Sequence, residues 1–161
     1  ELEPTYVLPA SAFTFACHVA VVEVDVSSGE VTLNKYVAVH DPGPVVNPVI
    51  VKAQIMGGIA QGLGEAMQES VEYDSDGRTD STSFMTYGIP IASDMPDVII
   101  DLLETRSTLT PTGMRGIGEA PAAASPVAYV NAVHDALRSL KIKPIEMPLT
   151  PPKIWSAIHG C

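Results

Sequence analysis

The sequence predicts an α+β protein: a mixed β-sheet carrying a β-hairpin, with helices packed on it in two layers. Three observations lead there. Two β-rich, alternating stretches, ACHVAVVEVDV (16–26) and VTLNKYVAVHD (31–41), flank an SSGE turn. Two longer stretches, 49–69 and about 120–140, read as helices. Strands and helices follow one another in no regular βαβ series.

Taken in order, residues 1–15 have no clear period and contain two prolines, which suggests an arm or linker before a domain over 16–161. Gly29 supplies the permissive backbone of the hairpin turn. DPGPVVNP (41–48) is a rigid loop, and Asn47 followed by Pro48 reads as an N-cap with proline at the first helical position. VEYDSDGRTD reads as a strand followed by an Asp-Gly turn. SFMTYGIPIASDMPD is extended and irregular, with Asp94 and Asp97 as turn formers around Met-Pro. VIIDLLE (98–104) is expected to be a buried strand. A glycine-bearing loop over 105–118 leads into the second long helix. Thr150 is placed to cap a last short helix, PPKIWSAIHG, that ends at Gly160 and turns Trp155 and Ile158 to the core.

Composition narrows the function. The chain has 161 residues, 46% hydrophobic and 17% charged, enough for one globular domain with its own core. A formal net charge of −10 argues against nucleic acid and anionic membranes, whose phosphates favour Lys and Arg. No apolar run reaches the length of a membrane span, and nothing resembles a signal peptide. Cys17 and Cys161 sit near opposite ends and form no metal spacing, so a reduced, cytoplasmic chain is expected, with a single disulfide left open. The chain begins with Glu, which suggests a processed chain or a piece of a longer one.

Two segments carry chemistry. The first long helix contains Gly57, Gly58, Gly62 and Gly64. Each interior glycine costs roughly 1 kcal/mol against alanine. Gln54, Gln61, Glu65 and Gln68 are seven, four and three residues apart and share one face, with Gly57, Gly58 and Gly62 on or beside it. Such a stripe of amides and bare backbone suits a flat polar ligand. Equally, the glycines could serve close helix packing while the glutamines face water. GLGEAM lacks the third glycine of a dinucleotide fingerprint, and no phosphate-loop motif exists.

The second segment is TPTGMRGIGEAP (110–121). Gly116 and Gly118 lead to Glu119 at the start of a helix, where exposed N–H groups favour the anion. An ionised, positioned carboxylate is a candidate general base, or else a plain helix cap. Arg115 could bind substrate or pair with Glu119. The histidines (18, 40, 134 and 159) form no metal-ligand pair, and His134 and His159 read as surface helix positions. No nucleophile motif supports a standalone hydrolase.

With these motifs in order, from HVAVVEVDVSSGEVTLNKYVAVHDPGPVVNPVIVKAQIMGGIAQGLGEAM through SFMTYGIP and TPTGMRGIGEAP to MPLTPPKIWSAI, residues 16–160 resemble the C-terminal molybdopterin-binding region of the xanthine oxidase family. The resemblance implies a piece or subunit of a molybdenum hydroxylase, an oxidoreductase that oxidises an aldehyde or aromatic N-heterocycle with water as oxygen source. It implies Glu119 as the base that deprotonates a molybdenum-bound hydroxyl. It further implies Gln54, Gly57, Gly58, Gln61, Gly116 and Gly118 as contacts of a molybdopterin, in bacterial members typically the cytosine dinucleotide form. Iron–sulfur clusters and FAD would sit on partner chains or domains, and a small-molecule substrate would enter between them. Arg115 departs from the lysine common in the family, and Cys17 from a small residue. The family's Gly-Phe-rich segment and other pterin loops are absent from this stretch, so this chain alone does not build the whole site. The competing expectation is a non-catalytic assembly module packed on a cofactor-bearing subunit, favoured if Glu119 faces the sheet or is capped within its own helix.

Overall fold

The computed structural model describes residues 11–160. The first ten residues of the expected arm, and Cys161 with the disulfide question, lie outside the described residues.

Strand β1 (Phe15–Val24) and β2 (Val31–Asp41) form the expected antiparallel hairpin, with a bulge between Val21 and Val22. Its turn closes through Gly29 N–H donating to Asp25 O at 2.7 Å, with Gly29 at φ 78°. A side chain there would also run into the Pro151 carbonyl, so glycine meets both a backbone and a packing demand. Helix α1 (Pro48–Met67) starts as expected: Asn47 Oδ1 accepts from Val49 N (3.1 Å) and Ile50 N (3.2 Å), and Pro48 sits at the first helical position. Strand β3 (Val98–Leu102) then pairs parallel to β2, giving the sheet order β1-β2-β3. The stretch from β2 through α1 to β3 is thus one parallel crossover inside an otherwise irregular order.

Helix α2 (Ala120–Ala136) packs on α1 and on β1. Helix α3 (Pro151–His159) ends at Gly160 in the left-handed conformation. The core joins all layers: Tyr36 and Ala38 of β2, Ile55, Ile59 and Leu63 of α1, Tyr129 and Val133 of α2, and Ile154 of α3 are fully or almost fully buried. Spacings of four along both long helices put these residues on one stripe each. The two-layer α+β expectation therefore holds, with the helices on one face and Val19 and Ile99 about half exposed on the other.

Several local expectations change. β3 is not buried: it is an edge strand whose residues alternate inward and outward, leaving Asp101 exposed. Of the strand and Asp-Gly turn expected within 71–80, the strand shrinks to a single bridge, Tyr73 with Thr79, and Val71 and Tyr73 stay exposed; the turn itself forms, with Asp74 Oδ1 accepting from Asp76 N and Arg78 N. The second long helix stops at Ala136 and continues as one 3-10 turn (Arg138–Leu140). Thr150 occupies the N-cap position of α3 but its hydroxyl makes no cap bond. Pro152, at the second helical position, has no N–H to offer it. On α3 the core residue is Ile154, with Ile158 partly buried; Trp155 is 38% exposed and stacks on His159 at 4.4 Å. His134 is no free surface position, since its Nε2 accepts from Ile145 N at 2.9 Å. Asp94 acts as expected, accepting from Ile91 N at 3.0 Å.

The hairpin register also makes a cluster that residue spacing did not suggest. His18 lies opposite Ala38, one step along the face from His40. The two rings meet Nε2 to Nε2 at 2.7 Å, and His18 Nδ1 bonds Tyr36 Oη at 2.8 Å. Two facing nitrogens share a single proton, so neutral rings suit the pair. Burial, helped by the charge of a protonated His40, lowers His18 from 6.5 to about 4, and burial lowers His40 as well. Below pH 6.5 the unfolded chain therefore binds more protons than the folded one. Stability is full above 6.5 and falls as the pH drops towards 4. The urea midpoint of the complex carrying this chain is expected to fall across that window, and His18→Gln to flatten the fall; equal slopes in both proteins would refute the assignment.

Candidate functional site

The candidate site forms where the N-terminus of α2 meets the polar face of α1. Glu119 is the residue before α2, and its side chain makes no cap hydrogen bond. It is exposed and lies on the rim shared by two clefts. One, of about 680 Å³, is lined by Gln61, Glu65, Glu69, Tyr87 and Ala122. The other, of about 560 Å³, is lined by Phe13, Thr14, Gly116, Gly118 and Ala123. The carboxylate thus neither caps its own helix nor turns to the sheet.

The expected amide stripe divides along α1. Gln54 reaches the glycine loop: a Cβ placed on Gly118 would lie 3.7 Å from Gln54 Nε2. Gln61 and Glu65 face the larger cleft beside Glu119. Gln68 is taken up by Asp94, 3.5 Å from its amide. Glu69 Oε2 accepts from the Tyr87 hydroxyl at 2.6 Å, and the phenol is pushed up as a result.

The glycines divide in the same way. Gly58 and Gly62 lie in the α1–α2 contact: a Cβ on Gly58 would sit 2.8 Å from Pro121 Cβ, and one on Gly62 would strike the Ser125 hydroxyl. Gly64 backs onto Pro90. Close helix packing therefore accounts for Gly58 and Gly62, and contact with Pro90 and the Glu69 side chain for Gly64. Gly57 and Gly116 have nothing within 4 Å of a built Cβ. Their bare backbone serves no packing, and they stand with Gln54, Gly118 and Glu119 around one exposed polar surface. Those are the residues that fit a flat polar group: open backbone, one amide and one free carboxylate.

Arg115 does not reach Glu119. Its guanidinium donates to Phe13 O (3.1 Å) and Thr105 O (3.4 Å), and lies 5.0 Å from the centre of the Phe15 ring. Residue spacing also missed Asp41, which is 7% exposed. Its Oδ1 accepts from Gly43 N (3.1 Å) and Thr105 N (3.0 Å). Desolvation opposes ionisation, yet the bonds from Thr105 and Gly43 and the charge of Arg115 outweigh it, so the carboxyl lies below its usual value. An Asp followed by Pro-Gly was the available signal, because Asp side chains accept from the N–H two residues on. Among the described residues no group of three metal-ligating side chains occurs, and no helix is long and apolar enough to cross a membrane.

Comparison with known proteins shows the family. A family model described as a molybdopterin cofactor-binding domain matches residues 3–96. The chain is 38% identical, over 92% of its length, to the nicotine 6-hydroxylase large subunit of Paenarthrobacter nicotinovorans, and 30% identical, over 91%, to the carbon monoxide dehydrogenase large chain of Afipia carboxidovorans. It superposes on quinoline 2-oxidoreductase from Pseudomonas putida 86 with a TM-score of 0.85 and 42% identity, over 88% of this chain. In each case the chain spans 18% of the relative's length.

Proposed function

Since the chain belongs to the molybdopterin-binding region of the molybdenum hydroxylase large subunits, we propose that it builds one wall of a molybdenum active site, with Glu119 as the proton acceptor. The observation that carries this reading is the uncapped, exposed carboxylate of Glu119 beside open glycine backbone and the Gln54 amide. When bound, the molybdenum–pterin group supplies the two-electron oxidation and activates water. Gln54 donates and accepts hydrogen bonds at the pterin edge. Gly57, Gly116 and Gly118 let the flat group approach the backbone, and Gln61 borders the neighbouring cleft. Gly58 sets the spacing of α1 from α2 and so the height of that surface. Glu119 would take up a proton at its carboxylate as the oxidised carbon gains oxygen.

The substrate class is an aldehyde or aromatic N-heterocycle, and the cofactor is the cytosine dinucleotide form. Further domains or subunits of the same complex supply the remaining cofactor contacts, the iron–sulfur clusters and FAD. The complex works in the cytoplasm, and the chain by itself is inactive.

Native mass spectrometry of the complex purified from its source cells tests this reading: one molybdenum and a larger set of hydroxylase polypeptides should accompany the chain. A lone chain without molybdenum would refute it. Within that complex, Gln54→Ala is expected to lower molybdenum content several-fold while kcat per molybdenum changes little; unchanged content refutes the role of Gln54. Gly57→Ala separates stability from binding. An added methyl meets nothing within 4 Å and should stabilise α1 by up to about 1 kcal/mol. If the cofactor lies on this face, molybdenum content should fall while the melting temperature of the cofactor-free protein rises. A variant that keeps full molybdenum content takes Gly57 out of the binding surface.

A further inference from the structure

We propose that Asp41 and Arg115 form a positioning clamp that holds the glycine loop so that Glu119 projects into the site. This deepens, and rests on, the reading of Glu119 as proton acceptor.

The clamp ties three distant segments at one point. Asp41 Oδ1 gathers Gly43 N and Thr105 N, which joins the loop after β2 to the strand end after β3. The next residue completes the tie: Pro42 O accepts from Arg115 N at 2.7 Å. Gly43, at φ 71°, lets its backbone lie directly under the Gly113 carbonyl, and Gly113 is itself at φ 78°. The Arg115 side chain then reaches the carbonyls of Phe13 and Thr105 and lies over the Phe15 ring. Its charge and the Asp41 carboxylate stabilise one another.

The position of Glu119 follows from this. Between Arg115 and Glu119 lie Gly116, Ile117 and Gly118. Ile117 packs against the core, but both glycines are exposed and nothing lies within 3.5 Å of their built Cβ atoms. Apart from the Ile117 contact, Arg115 on one side and α2 on the other fix the path of this stretch. A loop with free glycines and no anchor samples many carboxylate positions. The clamp removes that freedom without placing a bulky side chain beside the cofactor surface. It also gives Arg115 a task other than substrate binding: both terminal nitrogens of its guanidinium donate to main-chain carbonyls.

The test is made in the complete enzyme with Asp41→Ala, Asp41→Asn and Arg115→Met, and with Glu119→Gln in parallel. Turnover is expressed per bound molybdenum. A misplacement of about 1 Å costs on the order of 10²-fold, so Asp41→Ala should lower kcat about 10²-fold with KM and molybdenum content little changed. Asp41→Asn keeps the accepting oxygen and should recover most of that loss. Arg115→Met should lower kcat, again without raising KM. Hydrogen–deuterium exchange over residues 105–119 reads the clamp without any turnover and should rise at least several-fold in Asp41→Ala. If Asp41→Ala does not assemble, Asp41→Asn and Arg115→Met decide by the same two readouts. Unchanged exchange over 105–119, unchanged kcat per molybdenum, or a raised KM with normal kcat in Arg115→Met each overturns the clamp. If Glu119→Gln keeps full turnover, the proton-acceptor reading fails instead, and the exchange result still stands or falls by itself.

Discussion

Glu119→Gln in the complete enzyme is expected to lower kcat by about 10²–10⁴-fold, the range for removing a positioned general base, while molybdenum content and melting temperature stay near those of the parent. Gln matches Glu in shape and still accepts a hydrogen bond, but its amide does not take up a proton near neutral pH. Glu119 makes no cap bond to α2, forms no ion pair with Arg115 and is exposed. Removing its charge therefore breaks no contact of the fold. The two readouts together separate the proposed role from an assembly role. An assembly module would lose molybdenum or subunits when its surface changes, and would keep its rate per molybdenum. Turnover that survives Glu119→Gln would mean the proton goes elsewhere.

Much of the fold was legible because it follows from local rules. The hairpin shows in its alternation, and the start of α1 in Asn47-Pro48, whose side chain and ring satisfy helix-start geometry without outside help. What failed was set by partners distant in sequence. Trp155 looks like core, but the rotation of α3 is fixed by Ile154 against the other layers, which leaves the indole outside. The site divides along the same line. Glu119 and Gln54 could be read from residue type and order. Asp41 could not, because its partners at Thr105 and Arg115 come together only when β3 aligns parallel to β2. The histidine pair is a product of strand register for the same reason. The four glycines of α1 are the instructive case: Gly58, Gly62 and Gly64 answer to packing, whereas Gly57 packs against nothing.

That division makes Gly62 the site of the largest expected loss of stability. Gly62→Ala should destabilise the protein by about 3 kcal/mol, the upper part of the range for overpacking a close contact. A methyl there would strike the Ser125 hydroxyl and lie 2.6 Å from Pro126 Cδ and 2.7 Å from Ala122 O. None of these can retreat easily. Ser125 is fully buried, and Pro126 is a ring held inside α2. The Ala122 carbonyl is the one that would accept from the residue at 126, and proline offers it no N–H. That carbonyl is therefore pressed against the bare Cα side of Gly62 rather than closed into its helix. The irregularity in one helix and the missing side chain in the other are a matched pair. A double-mutant cycle tests the match. Pro126→Ala alone frees an N–H that can close onto Ala122 O, drawing the carbonyl back into α2. Gly62→Ala should then be better tolerated on that background by at least about 1 kcal/mol, measured as the shift in urea midpoint. Additive effects would mean that Ser125 alone sets the approach, and Ser125→Ala would then be the variant that rescues Gly62→Ala. Because α2 carries Glu119 at its first turn, any separation of the helices also moves the carboxylate. Gly62→Ala should therefore lower turnover per molybdenum as well as stability, whereas Gly57→Ala, on the open side of the same helix, should leave the spacing of α1 and α2 untouched.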